Sequence, residues 1–253
     1  MKSRLEQLPW ASLLLITLAL SCTPGAAAAD HPATRLVTLR NERELEELAQ
    51  ARELNNQALR YQKQGRAGEA EPLYKRSLEI VEKVLGRDHP ALAAGLGNLA
   101  SLYQEQGRLS EAEALYLRSL AILKGLGSED LPVALELNNL AMLYAKVGRY
   151  GEAEGLFQRS ITVLEHRLGP EHLAIAAVLN NLASLYSNLG RYGEAEPSYK
   201  RSLAIIEQTA GPNSPPAAKI LRALDDLRRK QGRLGEEDAP TTRAGQDPNG
   251  AMQ

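Results

Sequence analysis

Apolar positions along this chain fall on helical spacing. Leu96, Leu99, Ala100 and Tyr103 stand at i, i+3, i+4 and i+7, one apolar stripe on an α-helix. Gly107 interrupts the stripe, as a glycine does where a helix ends on left-handed dihedrals. A second stripe follows, Ala112, Leu115, Tyr116, Leu120 and Leu123, and Leu126-Gly127 closes it. The plan recurs. The leucines opening each unit (Leu54, Leu96, Leu137, Leu179 and Leu221) and the mid-unit glycines (Gly65, Gly107, Gly148, Gly190 and Gly232) both step by 42, 41, 42 and 42 residues. A fixed period in this range predicts an all-α stack of two-helix units. Such a stack directs the search for function to a surface.

The boundaries follow from the same pattern. Leu85-Gly86 and Leu168-Gly169 are further terminators, and Pro90 and Pro215 lie just beyond helix ends, where proline disturbs nothing. The first helix reads as extended, one long helix or two short ones across Asn41 to Gln64, with Asn41 and Glu44 at the spacing of an N-cap and its reciprocal partner. Residues 30–40 are then expected as a linker. The single-residue deletion near Lys124-Gly125 falls at a helix end, where a shortened last turn is tolerated. Past Leu234 the chain is polar and turn-rich, so residues 234–253 are expected to be a disordered tail, with too little apolar surface to offset ordering entropy.

The repeated segments resemble tetratricopeptide repeats, specifically the 42-residue kind of kinesin light chains and many bacterial proteins. Leu179-Asn180-Asn181-Leu182-Ala183-Ser184-Leu185-Tyr186, Gly190-Arg191-Tyr192-Gly193-Glu194-Ala195-Glu196 and the Arg-Ser-Leu-x-Ile segments carry the likeness. The resemblance implies a right-handed α-solenoid of antiparallel helix pairs over residues 41–233. It has about four units, near 54–95, 96–136, 137–178 and 179–220. A partial unit, 221–233, serves as a C-terminal capping helix, because Asp225 stands where the other units carry a small alanine, Asp226-Leu227 replaces Ser-Leu and no tyrosine follows. Ala58, Ala100, Ala141 and Ala183, and then Ala70, Ala112, Ala153 and Ala195, fall where that family needs close helix contact.

The resemblance also places the first helix of each unit on a concave, peptide-binding face. The groove positions are Asn55, Asn56, Asn98, Ser101, Asn138, Asn139, Met142, Asn180, Asn181 and Ser184, with Gly97 interrupting the asparagine series. An Asn side chain offers donors and an acceptor, so a series at one-repeat spacing can pair with the backbone of an extended peptide. Equally, Asn56, Asn98, Asn139 and Asn181 can bond between neighbouring helices. The last helix carries a basic run, Lys219, Arg222, Arg228, Arg229 and Lys230. This is either a solvated end or, through Lys219, Arg222 and Arg229, a docking point for an acidic ligand.

The tyrosines read as packing. Tyr61, Tyr103, Tyr144 and Tyr186 share one template place, and Tyr74, Tyr116, Phe157 and Tyr199 another. The acid pairs Glu69/Glu71, Glu111/Glu113, Glu152/Glu154 and Glu194/Glu196 read as solvated helix starts near the positive dipole end. His89 and His172 sit in inter-repeat turns, and the four histidines show no metal-ligand spacing. No phosphate loop or activated nucleophile is present. No cofactor, no metal and no catalysis are therefore expected. A net charge of −1 offers no basic domain for nucleic acid.

The N-terminus differs from the repeats. Lys2 and Arg4, an apolar run from Leu13 to Leu20 and the small residues Gly25 to Ala29 have the layout of an export signal over residues 1–29. Two readings stay open: cleavage near Ala29, or lipidation at Cys22, since Ala19-Leu20-Ser21-Cys22 resembles a lipobox. The expectation is an exported scaffold, periplasmic or secreted, or else a lipoprotein anchored to an envelope membrane. It would bind a protein or peptide partner, and touch membrane only if lipidated. The alternative is a regulatory or substrate-recruiting subunit of a separate envelope enzyme.

Overall fold

The computed structural model describes residues 32–125 and 130–232, with side chains from Asn41 onward. The expected export signal with Cys22, the Leu126-Gly127 terminator and the 234–253 tail lie outside the described residues. Among those described there are nine α-helices: α1 Pro32–Lys63, α2 Ala67–Leu85, α3 Pro90–Glu105, α4 Leu109–Gly125, α5 Leu131–Lys146, α6 Tyr150–Leu168, α7 Leu173–Asn188, α8 Tyr192–Ala210 and α9 Pro215–Lys230. No helix among them is long and apolar enough to cross a membrane.

The helices pair in chain order, α1 with α2, α3 with α4, α5 with α6 and α7 with α8, and each pair packs on the next. The first helices also touch one another, α1 to α3 to α5 to α7. The second helices approach one another less closely and meet through long side chains, Arg118 with Glu82 at 3.1 Å and Arg201 with Glu165 at 2.6 Å, so the first helices form the inner face of the stack. Close approach needs small side chains, and all eight template alanines, Ala58, Ala100, Ala141, Ala183, Ala70, Ala112, Ala153 and Ala195, are fully buried. Tyr74, Tyr116, Phe157 and Tyr199 fill the space between paired helices, each almost wholly enclosed.

A buried serine per unit adds a fixed cross-link. Ser77, Ser119, Ser160 and Ser202 donate to the carbonyls of Ala51, Ala93, Ala134 and Ala176 at 2.7, 3.0, 2.7 and 2.8 Å. Each bond ties the second helix of a unit to the first, and the serine of the Arg-Ser segment is thereby satisfied where water cannot reach it.

The turns explain their glycines. In Gly65, Gly107, Gly148 and Gly190 φ lies between 73 and 84°, and the next residue, always Arg, donates its N–H to the carbonyl of the Tyr five residues back at 2.9 Å. This is a Schellman closure, which needs a left-handed residue that glycine adopts without strain. His89 and His172 cap the next helices, their Nδ1 atoms accepting from Ala91 N and Ala174 N at 3.1 and 3.2 Å.

Two expectations change. The first helix begins at Pro32, so 32–40 is helix and not the linker expected there. Proline at a first helical position suits this, since its missing N–H would have no partner there anyway. Asn41 lies inside that helix and is therefore not its cap.

Candidate functional site

The inner face is built on a repeated clasp that the sequence did not reveal. The Schellman turn folds each Arg back over the Tyr ring that precedes it. Arg66 lies 4.3 Å from the Tyr61 ring centre, Arg108 3.7 Å from Tyr103, Arg149 3.7 Å from Tyr144 and Arg191 4.5 Å from Tyr186. From there the guanidinium reaches back one unit. Glu71 accepts from Tyr103 Oη at 3.0 Å and Arg108 Nη1 at 2.8 Å. Glu113 accepts from Tyr144 at 3.0 Å and Arg149 at 2.5 Å, and Glu154 from Tyr186 at 2.8 Å and Arg191 at 2.7 Å.

This corrects the reading of the acid pairs as solvated helix starts. The first acid of each pair does stay at its own turn, bonded to the Arg three residues before it. The second acid in the first three units stitches consecutive units together. Lys75 beside Glu71, and Arg191 beside Glu154, hold those carboxyls below the usual carboxylate range despite some burial.

Above this frame lie the asparagines, and they follow one rule. The second Asn of a unit donates to the first Asn of the unit before: Asn98 Nδ2 to Asn55 Oδ1 at 3.0 Å, and Asn181 Nδ2 to Asn138 Oδ1 at 3.0 Å. The rule fails at two joints. Asn139 faces position 97, which is Gly, and Asn180 is followed in the next unit by Ala223 in the second place. Asn139 is left with only a long contact from Asn138 Nδ2, 3.5 Å, and the Asn180 side chain and the exposed Asn56 have no hydrogen-bond partner among the described residues. Of the two roles open in the sequence, the helix-to-helix bond is the one Asn98 and Asn181 perform.

A recess of about 260 Å³ opens beside the first failed rung. Ser101, Gln104, Glu105, Tyr116, Asn139, Met142 and Lys146 line it. Its polar groups are partly committed: Gln62 Nε2 donates to Glu105 at 2.7 Å and reaches Ser101 Oγ at 3.4 Å, and Lys146 Nζ donates to the Gln104 carbonyl at 3.0 Å. Gln104 Oε1 is buried without a partner. Ser184, one unit on from Met142, is held by Asn180 O at 2.8 Å and Tyr199 Oη at 3.0 Å. A larger recess, about 570 Å³ between α2 and α4, is neutralised by its own ion pairs, Glu82 with Arg87 and Arg118, each at 3.1 Å.

One residue of this face escaped the sequence reading. Glu136 is 7% exposed, and its Oε2 is buried with no partner. Its carboxylate occupies the space a side chain at Gly97 would fill, so a Cβ there would collide with it. Burial pushes its carboxyl up to about 7, against a smaller opposing effect of the Ser119 hydroxyl. The signal was partial: the register position of Glu136 holds Gly95, Val178 and Ile220 in later or neighbouring units, but Glu53 in the first.

Lys219, Arg222 and Arg229 share an exposed face of α9, at spacings of three and seven residues. Arg222 takes the register of the first Asn. Arg229 only approaches Asp226, at 4.0 Å, whereas the Arg residues of the clasps bind at 2.5 to 2.8 Å. Among the described residues no cluster of His, Cys, Asp or Glu could hold a metal ion.

The tetratricopeptide repeat family model matches residues 54–125, 133–208 and 175–237. The chain belongs to the tetratricopeptide repeat family. Solved structures of similar shape include a Podosopora anserina protein described by its kinesin light chain nearly identical TPR-like repeats. It is 28% identical, covers 75% of this chain and 90% of its own, with a TM-score of 0.64. A single-residue variant of that Podosopora anserina protein matches at 27% identity with the same TM-score and coverage. BtubC (BKLC) from P. vanneervenii is 25% identical, covers 90% of this chain and 94% of its own, with a TM-score of 0.69. No curated protein sequence matches this chain. The tetratricopeptide fold suggests a protein-interaction scaffold.

Proposed function

We propose that this tetratricopeptide protein is an exported scaffold without catalysis of its own, binding a protein or peptide segment along the face of α1, α3, α5, α7 and α9. The observation that carries this reading is the pair of failed rungs. Asn139 lines the recess and the Asn180 side chain has no hydrogen-bond partner among the described residues, while their counterparts are consumed in bonds between helices. An extended backbone presents alternating N–H and C=O groups, which such amides match. The side-chain oxygen Oε1 of Gln104, buried and unpartnered in the adjoining recess, adds an acceptor. At the far end Lys219, Arg222 and Arg229 offer positive charge to an acidic side chain or a terminal carboxylate of the same ligand.

The test compares wild type with N139A/N180A in crosslinking pull-downs from the native membrane and envelope fractions. Neither side chain holds the stack together, so the melting curve should be unchanged while the recovered partner is lost. Equal recovery by both proteins would overturn the groove assignment. A stoichiometric enzyme as the recovered partner would make the chain its recruiting subunit. Mass spectrometry of the mature N-terminus tests export: a chain starting at Asp30, or a lipidated Cys22, supports it, and retention of Met1 removes it.

A further inference from the structure

We propose that the joint between α3 and α5 is a proton-controlled hinge, in which neutral Glu136 seats in the notch at Gly97 and ionised Glu136 leaves it. At the joints on either side, α1–α3 and α5–α7, the first helices are joined by a neutral asparagine rung, Asn55 to Asn98 and Asn138 to Asn181. At the α3–α5 joint the rung is absent because Gly97 offers no side chain, and a carboxyl group occupies the space instead. The substitution exchanges a group that cannot titrate for one that can.

The surroundings favour the neutral acid. Glu136 is more than nine-tenths buried, and Oε2 has no partner. From α4 it is faced by the hydroxyls of Ser119 and Tyr116; from α3 by the Gly97 backbone. Glu105, further along α3, acts on Tyr116 and not on Glu136. Among the described residues no Lys, Arg or His of α3, α4, α6 or α7 acts on the carboxyl, so only the Ser119 hydroxyl offsets the cost of its charge, and in part. Ionisation can be relieved only by moving the side chain toward solvent, which empties the notch and loosens the α3–α5 contact beside the groove recess. Because the folded state raises this carboxyl, its stabilising effect is complete below pH 4.5 and is lost as pH rises through about 7. His89 titrates in the opposite sense, since burial lowers it, so its effect must be subtracted.

E136Q keeps the shape of the neutral acid and removes the titration. Melting temperatures of the full chain are measured at pH 5.5 and 8.5 for wild type and E136Q, with hydrogen exchange of α3 and α5 amides referenced to α7. Relative to E136Q, wild type should lose about 5 °C across this interval, with exchange accelerating in α3 and α5 only. The double variant G97N/E136V, which copies the Asn–Val arrangement of the next joint, should match the flat profile of E136Q. Parallel profiles for wild type and E136Q would overturn the hinge. Carbon-13 titration of the Glu136 carboxyl in wild type decides the matter even if the variants fail to fold: a midpoint above 5.5 supports the hinge and a midpoint below it refutes it. None of these readings depends on the groove ligand.

Discussion

The clasp between Glu154, Tyr186 and Arg191 predicts a measurable coupling between adjacent repeats. Glu154 sits on α6 and accepts from Tyr186 Oη on α7 at 2.8 Å and from Arg191 at 2.7 Å. Its side chain is 22% exposed and Tyr186 is 6% exposed, so the Tyr bond is partly shielded from water. Hydrogen bonds to charged groups contribute about 1.5–3 kcal/mol when buried, and fully exposed pairs about 0–1 kcal/mol. The intermediate exposure places Y186F at about 1 kcal/mol and E154A at about 2 kcal/mol. The double variant should recover about 1 kcal/mol of their sum, because each single change already breaks the shared bond. The assay is urea denaturation read by far-ultraviolet circular dichroism, with amide exchange on α6 and α7 because repeat arrays can unfold in steps. The Glu154 carboxyl is held down chiefly by Arg191, then by Tyr186. Its contribution is therefore present above the unfolded carboxylate value and is lost as pH falls through the lower folded value. The coupling measured by the cycle should shrink as the pH is taken down through that lower folded value. Strict additivity at pH 7 would refute the clasp as an energetic link between units.

Three further outcomes follow from the same packing. Tyr144→Ala removes a ring that is 6% exposed under Arg149 and should cost about 3–5 kcal/mol in denaturant titration. Ser160→Ala loses a buried 2.7 Å bond to Ala134 O and should cost about 1 kcal/mol, with exchange rising at the α5–α6 contact. Asn181→Ala breaks the rung to Asn138 and should lower the denaturation midpoint, whereas Asn139→Ala should leave it within error and alter only ligand capture.

The period made the architecture readable because packing positions repeat with it. Leu96, Ala100, Tyr103 and Gly107 each carry a single structural demand that recurs in every unit, so four copies confirm one another. The clasps were hidden for a related reason. Glu71 meets Tyr103 and Arg108, residues of the following unit, and a period alone does not say whether a repeated acid serves its own turn or its neighbour's. Glu69 and Glu71 look alike in sequence, but two helical steps turn them about 200° apart, toward opposite sides of the helix. The helical segment before Asn41 was missed because the repeat template begins at Leu54 and has nothing to say about residues upstream.

Departures from the template carry more information about the inner face than the template does. Where the rung rule holds, at Asn55–Asn98 and Asn138–Asn181, the amides are spent on holding helices at fixed spacing. Where it fails, one joint gains a buried carboxyl and an adjoining recess, and the other leaves Asn180 open next to the cationic α9. A solenoid built only for stability would gain by completing both rungs, since each missing bond forgoes about 1 kcal/mol. The two incomplete joints are therefore the places where this surface departs from packing economy, and they lie on the same face with the complete α5–α7 joint between them. G97N/E136V with A223N would complete the ladder, E136V clearing the space that a side chain at position 97 needs. The reasoning requires that this variant be more stable than wild type and poorer at holding its ligand.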